Sequence, residues 1–298
     1  MKRLKLGKFL SRFSVLTGLV LCLGANAGAN TEVSFPSLDA PGGQAVILKA
    51  LWASAPGPSG TAKTSPAMVL LHGCGGPYNA RGELSQRMHD YIALLHTQGL
   101  HALVLDSLTP RGERELCTQK IGSRQVTMLQ RRLDALAAVA WLAAQPAVDA
   151  QRIGLLGWSN GGSAVLSATN ERHSEVAAAS VKPSFAVAFY PGCDAELKRG
   201  YAHSARVLLL VGEADNWTPA EPCKRLAQLA QRSTESQHAE VEIETYAGAF
   251  HGFDSTAPLR VRKDVPNGVN PGRGVTVGGN AEALEKSRAK LLQFITVR

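Results

Sequence analysis

From residue 67 onward, short apolar runs alternate with longer stretches in which apolar residues recur every three or four positions. "AMVLLHG" (67–73), "HALVLDS" (101–107), "RIGLLG" (152–157), "FAVAFYPG" (185–192) and "RVLLLVGEAD" (206–215) are largely apolar or glycine, and "EVEIETY" (240–246) follows as the last expected strand. Such runs fit strands covered on both faces. Between them the periodicity predicts helices over 80–97, ended by Gly99, and over 123–144, ended by Pro146. The second has Val126, Leu129, Leu133, Leu136, Ala140 and Trp141 on one face. Further helices are expected over 162–170, 219–232 and 281–295. An earlier strand is expected around 44–52. The Pro/Gly/Ser-rich segment 54–66 after it reads as an exposed hairpin-type loop, not a domain linker. Repeated strand-then-helix order implies the α/β class: one domain built on a mostly parallel sheet with helices on both faces. Sites in such sheets form beyond the carboxyl ends of the strands.

The first 29 residues break the pattern. "MKRLKLGKFLSR" carries five basic side chains and no acidic one. The apolar run "FSVLTGLVLCLG" follows, then small residues that include Ala25-Asn26-Ala27 and Ala27-Gly28-Ala29. That order is the signature of a secretory signal, with cleavage near 27–29 and a mature domain over 30–298. The run is shorter than the roughly 20 apolar residues a spanning helix needs. No other stretch is long enough, so no stable membrane insertion is expected after cleavage. Cys22 follows Leu21 rather than a small residue, which argues against lipidation. The formal charge of +8 owes much to this segment; without it, 27 basic residues face 24 acidic ones. No basic cluster interleaved with aromatics remains, so nucleic acid is not an expected partner. The expected location is periplasmic or secreted, and the oligomeric state is not readable.

Export changes how the cysteines read. Cys74, Cys117, Cys193 and Cys223 remain, an even number in an oxidising compartment, with three possible pairings. Cys74–Cys117 and Cys193–Cys223 would each join loops at the same end of the sheet, and free buried thiols are the alternative. Neither C-x-x-C nor H-x-x-x-H spacing occurs, so no metal and no cofactor is expected.

The candidate chemistry centres on "GWSNGG" (157–162), between a predicted strand and a predicted helix. A serine hydroxyl needs an exposed position and a base to act as a nucleophile, and a glycine-flanked strand–turn–helix bend at Ser159 supplies the position. Without a base, Ser159 would only cap the helix. His251, in "AGAFHGFD" after the last strand, lies at the catalytic end of the sheet and last in the chain. His101 and His203 sit at strand entrances, and His89, His96, His173 and His238 fall in helical or polar surface settings. Asp215, after "LLLVGEA", is the expected acid, with Asp194 and Glu213 as rivals. Its role would be to orient the imidazole and stabilise its charged form. An oxyanion needs at least two preorganised N–H donors. The amides of Asn160 and of Cys74, in "HGCGG" (72–76), are the candidates. Cys74 itself is a weaker candidate nucleophile, because it precedes no strand-to-helix turn. Trp158 is expected to pack rather than react.

With "VLLHGCGG", "ALVLDSLTPRG", "AQRIGLLGWSNGGSAVL", "AFYPGC", "GEADNWTPAEPC" and "YAGAFHGFD" in hand, the chain resembles the dienelactone hydrolase family of α/β-hydrolases over most of residues 67–254. The resemblance implies an α/β-hydrolase fold and a triad that falls on Ser159, Asp215 and His251. The founding members carry cysteine as nucleophile, where this chain has serine. Their arginines bind a substrate carboxylate, a part Arg111 in "TPRG" would play unless it is structural. The expected activity is an exported serine hydrolase acting on a small-molecule ester, lactone or thioester. An acyltransferase or a small peptidase would use the same triad, although a peptidase on this fold usually adds a gating domain that the chain has no room for. A binding protein on this scaffold should lack a triad member. Residues 257–280 form a long glycine-rich segment after His251, and the sequence leaves open whether it shapes the site or covers the surface.

Overall fold

The computed structural model describes residues 30–56, 63–232 and 240–296. The expected export signal and His238 lie outside these residues. Eight strands form one sheet: β1 (Asn30–Pro36), β2 (Ile47–Ala53), β3 (Ser65–Leu71), β4 (His101–Asp106), β5 (Val148–Trp158), β6 (Phe185–Phe189), β7 (Arg206–Gly212) and β8 (Val241–Tyr246). Their spatial order is β1-β2-β4-β3-β5-β6-β7-β8. β1 and β2 pair antiparallel with their neighbours, and every pair from β4 to β8 is parallel.

Helices cover both faces. On one, α1 (Gln86–His96) and α7 (Ala281–Thr296) bury Tyr91, Leu95, Leu291 and Phe294 against Met68, Leu70, Val104 and Leu208. On the other, α2 (Met128–Ala143), α3 (Asn160–Ala168) and α6 (Ala220–Arg232) close over Val69, Leu103, Leu155 and Leu209. Alternate residues of one strand thus enter opposite cores, which is why these strands read as continuous apolar runs. Short helices α4 (Ser174–Ala177) and α5 (Asp194–Arg199) occupy connections.

The structure corrects four expectations. The segment 54–66 is not a hairpin connection, because β4 lies between β2 and β3 and pairs with both. β1 precedes the strand expected first; as an edge strand with Phe35 as its one buried residue, it has little apolar pattern to read. α1 begins at 86 rather than 80, because Asn79 Oδ1 accepts from the amides of Arg81 and Glu83 and commits those residues to a turn. α2 keeps part of the expected face, with Leu136 buried and Trp141 packed on the core, but not all of it. Leu129 and Ala140 face solvent, while Arg131, Asp134, Ala135, Ala138 and Leu142 are buried. Arg131 and Asp134 can turn inward because buried partners await them, His72 for the first and Ser37 and Arg111 for the second.

The long segment after His251 is structured. β9 (Arg260–Arg262) and β10 (Val275–Val277) form a two-stranded antiparallel ribbon. Val277 bridges to His251, and the Gly278 amide donates to the His251 carbonyl at 3.0 Å. The ribbon is therefore fastened to the histidine loop.

Candidate active site

β5 ends at Trp158 and α3 starts at Asn160, so Ser159 is the whole of the turn between them. Its backbone sits at φ 54°, ψ −117°, a conformation L-residues rarely adopt. The flanking glycines follow from the same bend. A Cβ on Gly157 would lie 2.3 Å from the Gly161 carbonyl oxygen, and one on Gly161 would lie 1.9 Å from that of Leu71. The G-x-S-x-G spacing is thus imposed by close backbone approach on both sides of the serine. The strained turn is held by the Ser159 amide donating to Phe189 O at 2.9 Å. Trp158 points away and is buried, its ring against Tyr91 and Phe189.

The loop after β8 brings His251 to Ser159. His251 Nε2 lies 2.8 Å from Ser159 Oγ, and Nδ1 lies 2.8 Å from Asp215 Oδ2. With Nδ1 donating to the carboxylate, Nε2 is free to accept from the serine hydroxyl. The loop after β7 fixes Asp215. Its Oδ1 accepts from the amides of Trp217 and Thr218, and its Oδ2 from the Thr218 hydroxyl. Burial alone would raise this carboxyl's pKa, but the His251 charge and these hydrogen bonds outweigh it and hold the value below the usual range. The rings of Tyr190 and Trp217 each lie 4.6 Å from the His251 ring and confine it.

The rival acids are elsewhere. Asp194 opens α5 at the surface, and Glu213 is exposed and paired with Lys224 at 2.9 Å. The HGCGG loop lies beside the serine: a Cβ on Gly73 would be 3.6 Å from Ser159 Cβ. Cys74 and Asn160 flank the serine in the surrounding cavities. Cys74 is bonded to Cys117, and Cys193 to Cys223, so all four described cysteines are in disulfides. This removes Cys74 as a nucleophile.

Two expectations fail. Arg111 does not reach the site. Its guanidinium is held by Asp39, by both oxygens of Asp134 and by the Ser107 carbonyl, which leaves nothing for a substrate carboxylate. His173 is not a surface residue but is buried against Glu196 at 3.0 Å.

Several residues at the site carried no sequence signal of their own. Asp254, three residues after His251, is buried and accepts from Arg87, Tyr91 and Tyr190. Arg131 lies behind the HGCGG loop, its Nη2 2.7 Å from the His72 carbonyl. Tyr190, Trp217 and Thr218 stood inside quoted segments, but only the folded chain places them on His251.

An ordered Asp–His–Ser relay beside a glycine-rich loop can generate an alkoxide nucleophile and return its proton to a leaving group. Among the described residues no group of acidic, His and Cys side chains has the arrangement of a metal site, and no helix is long and apolar enough to cross a membrane.

A family model described as the dienelactone hydrolase family matches residues 56–297. None of the curated proteins compared matches the chain. Similar solved structures include a Klebsiella pneumoniae protein assigned as a dienelactone hydrolase, with 16% identity and TM-score 0.64, covering 91% of this chain and all of that one. A dienelactone hydrolase-like promiscuous phosphotriesterase from metagenomic libraries has 17% identity and TM-score 0.62, with 90% of this chain and 98% of that one covered. Esterase 2 of Thermogutta terrifontis, phosphorylated by paraoxon, has 17% identity and TM-score 0.60, with 91% and 94% covered. At these identities the likeness is one of fold.

Proposed function

Because the chain belongs to the dienelactone hydrolase family and is a hydrolase of carboxylic ester bonds, we propose that it is an exported serine enzyme cleaving an ester, lactone or thioester through an acyl-enzyme on Ser159. The observation that carries this reading is the relay from Asp215 through His251 to Ser159, with both contacts at 2.8 Å.

His251 Nε2 takes the proton of Ser159 Oγ as that oxygen attacks the substrate carbonyl carbon. The amides of Cys74 and Asn160 receive the oxyanion, each contributing about 10²–10³ in turnover. The intermediate collapses with cleavage of the bond to the leaving atom, which takes the proton from His251. Water then attacks the acyl-enzyme, giving a proton to His251, and the second collapse releases the acid and restores the Ser159 hydroxyl. Asp215 stays ionised and keeps the imidazole in the required tautomer.

Export is supported by the basic, then apolar, then small-residue order of the first 29 residues and by the two disulfides, which persist in oxidising compartments. The substrate is a small molecule. The test is turnover of p-nitrophenyl acetate by the wild-type enzyme and by Ser159→Ala. A loss of about 10⁴-fold or more is expected in the variant, and wild-type turnover by Ser159→Ala would end the proposal.

A further inference from the structure

Ser159 stands where two cavities meet. The smaller, about 270 Å³, opens on the histidine side and is bordered by His251, Tyr190, Arg87 and the ribbon residues Arg260 and Arg262. The larger, about 660 Å³, opens on the Asn160 side and runs between the segments 121–128 and 267–269. Cys74, Ser159 and Trp217 border both and form the divide.

The two differ in chemistry. Ile121, Val126, Met128, Trp217, Pro219 and Val269 line the larger one. Ile121 is 74% exposed and Val269 53% exposed, apolar side chains from two separate loops on one cavity. Exposed apolar surface concentrated at a cavity marks a place that an apolar ligand covers. The two loops are tied together, since Asn267 accepts from the Ile121 amide at 3.1 Å and donates to the Gln119 carbonyl at 2.9 Å. The cavity is therefore built before a ligand arrives. The smaller cavity has three guanidinium groups and no carboxylate on its walls. Arg87 is engaged by Asp254 and Arg262 by Asp264. Arg260 is exposed and forms no salt bridge among the described residues.

Proton transfer decides which half of an ester enters which cavity. The leaving oxygen must come within hydrogen-bond reach of His251 Nε2, and His251 borders the smaller cavity and not the larger. The alcohol half therefore lies on the arginine side. With the carbonyl oxygen turned to the Cys74 and Asn160 amides, the acyl chain is left with the apolar cavity.

We propose, resting on the serine-hydrolase reading above, that the substrate is an ester of an extended apolar acid with an anionic alcohol, the acyl chain seated between Ile121 and Val269 and the anion beside Arg260.

Three esters test this: the decanoate and the acetate of 4-hydroxybenzoate, and the decanoate of the uncharged 4-hydroxybenzamide. The wild-type enzyme is expected to give higher kcat/KM for the decanoate than the acetate, and for the charged than the neutral alcohol. Ala195→Trp places a bulky ring in the larger cavity from an exposed position on α5. It should lower the decanoate-to-acetate ratio by about tenfold or more. Arg260→Gln should bring the charged-to-neutral ratio close to one while the decanoate-to-acetate ratio stays. A chain-length ratio insensitive to Ala195→Trp overturns the acyl assignment. A charge preference absent in the wild type, or untouched by Arg260→Gln, overturns the alcohol assignment. Labelling of Ser159 by a fluorophosphonate without hydrolysis of any of the three rejects the substrate class alone. Absence of both labelling and hydrolysis rejects the hydrolase reading beneath it.

Discussion

Tyr190 holds its ring 4.6 Å from that of His251 while its hydroxyl donates to Asp254 at 2.6 Å. Its backbone sits at φ 37°, the second described non-glycine residue with positive φ beside Ser159. One side chain thus links the wall of the imidazole to a buried carboxylate three residues further along the same loop. Tyr190→Phe keeps the ring and removes that hydrogen bond. It should cost about 1–2 kcal/mol of stability with a small change in ester turnover. Tyr190→Ala also frees the imidazole and should lower kcat well beyond the Phe variant. Urea unfolding and ester kinetics on the two variants check this.

Asp254 itself is a stronger case. Burial would raise its pKa, but the Arg87 charge and the hydrogen bonds from Tyr190, Arg87 and Tyr91 outweigh it and hold the value below the usual range. A carboxyl depressed in the folded state contributes stability above its unfolded pKa of about 3.9 and loses it as pH falls through the folded value. Asp215 has the same sign. Asp254→Asn leaves Arg87 without its ionic partner, and should cost about 3–5 kcal/mol at neutral pH. It should also flatten the fall in melting temperature below pH 4, measured by thermal unfolding across pH.

The pair His72 and Arg131 makes a prediction at milder pH. His72 Nδ1 donates to the Gly73 carbonyl at 2.7 Å, and Arg131 Nη1 lies 2.9 Å from Nε2. Burial first, and the Arg131 charge second, hold the His72 pKa well below its usual value. The folded imidazole therefore stays neutral while the unfolded one takes a proton below about pH 6.5. Stability should fall with pH through that window. His72→Gln should reduce the slope between pH 6.5 and 5. Arg131→Met removes the support behind the HGCGG loop, and should lower kcat while KM changes little.

The disulfides separate stability from chemistry. Each closes a loop, of 43 residues for Cys74–Cys117 and 30 for Cys193–Cys223. Loop-closure entropy puts each at about 4 kcal/mol. Replacing Cys193 and Cys223 by alanine should destabilise the fold with turnover largely kept. Replacing Cys74 and Cys117 should cost similar stability and also reduce turnover, because Cys74 belongs to the loop beside Ser159. Calorimetry and ester kinetics on the two double variants distinguish them.

What the sequence made legible was what neighbouring residues decide. The apolar runs became β3 to β7 because strands buried on both faces are apolar for most of their length, whereas β8, at the sheet edge, buries only Val241 and Tyr246. The grouping of Ser159, His251 and Asp215 was legible because all three sit beyond strand ends, in a chain order that the fold class restricts. What escaped was decided across long distances in the chain. Arg87 and Asp254 are 167 positions apart and Tyr91 and Asp254 163, so no local pattern announces them. For Arg111 the sequence left substrate contact and a structural role both open, because the partners that occupy it, Asp39 and Asp134, lie 72 and 23 positions away. The ribbon of β9 and β10 has three residues per strand, too few to show a period. Its effect on the site comes from where it docks, beside His251.

The most direct measurement is where a fluorophosphonate attaches. Incubated with the intact protein and mapped by peptide mass spectrometry, it should modify Ser159 at one equivalent per chain, with ester hydrolysis lost in step. His251→Ala should slow the labelling strongly. Full loss of activity with the label on another residue, or hydrolysis persisting once Ser159 is fully modified, would contradict the account.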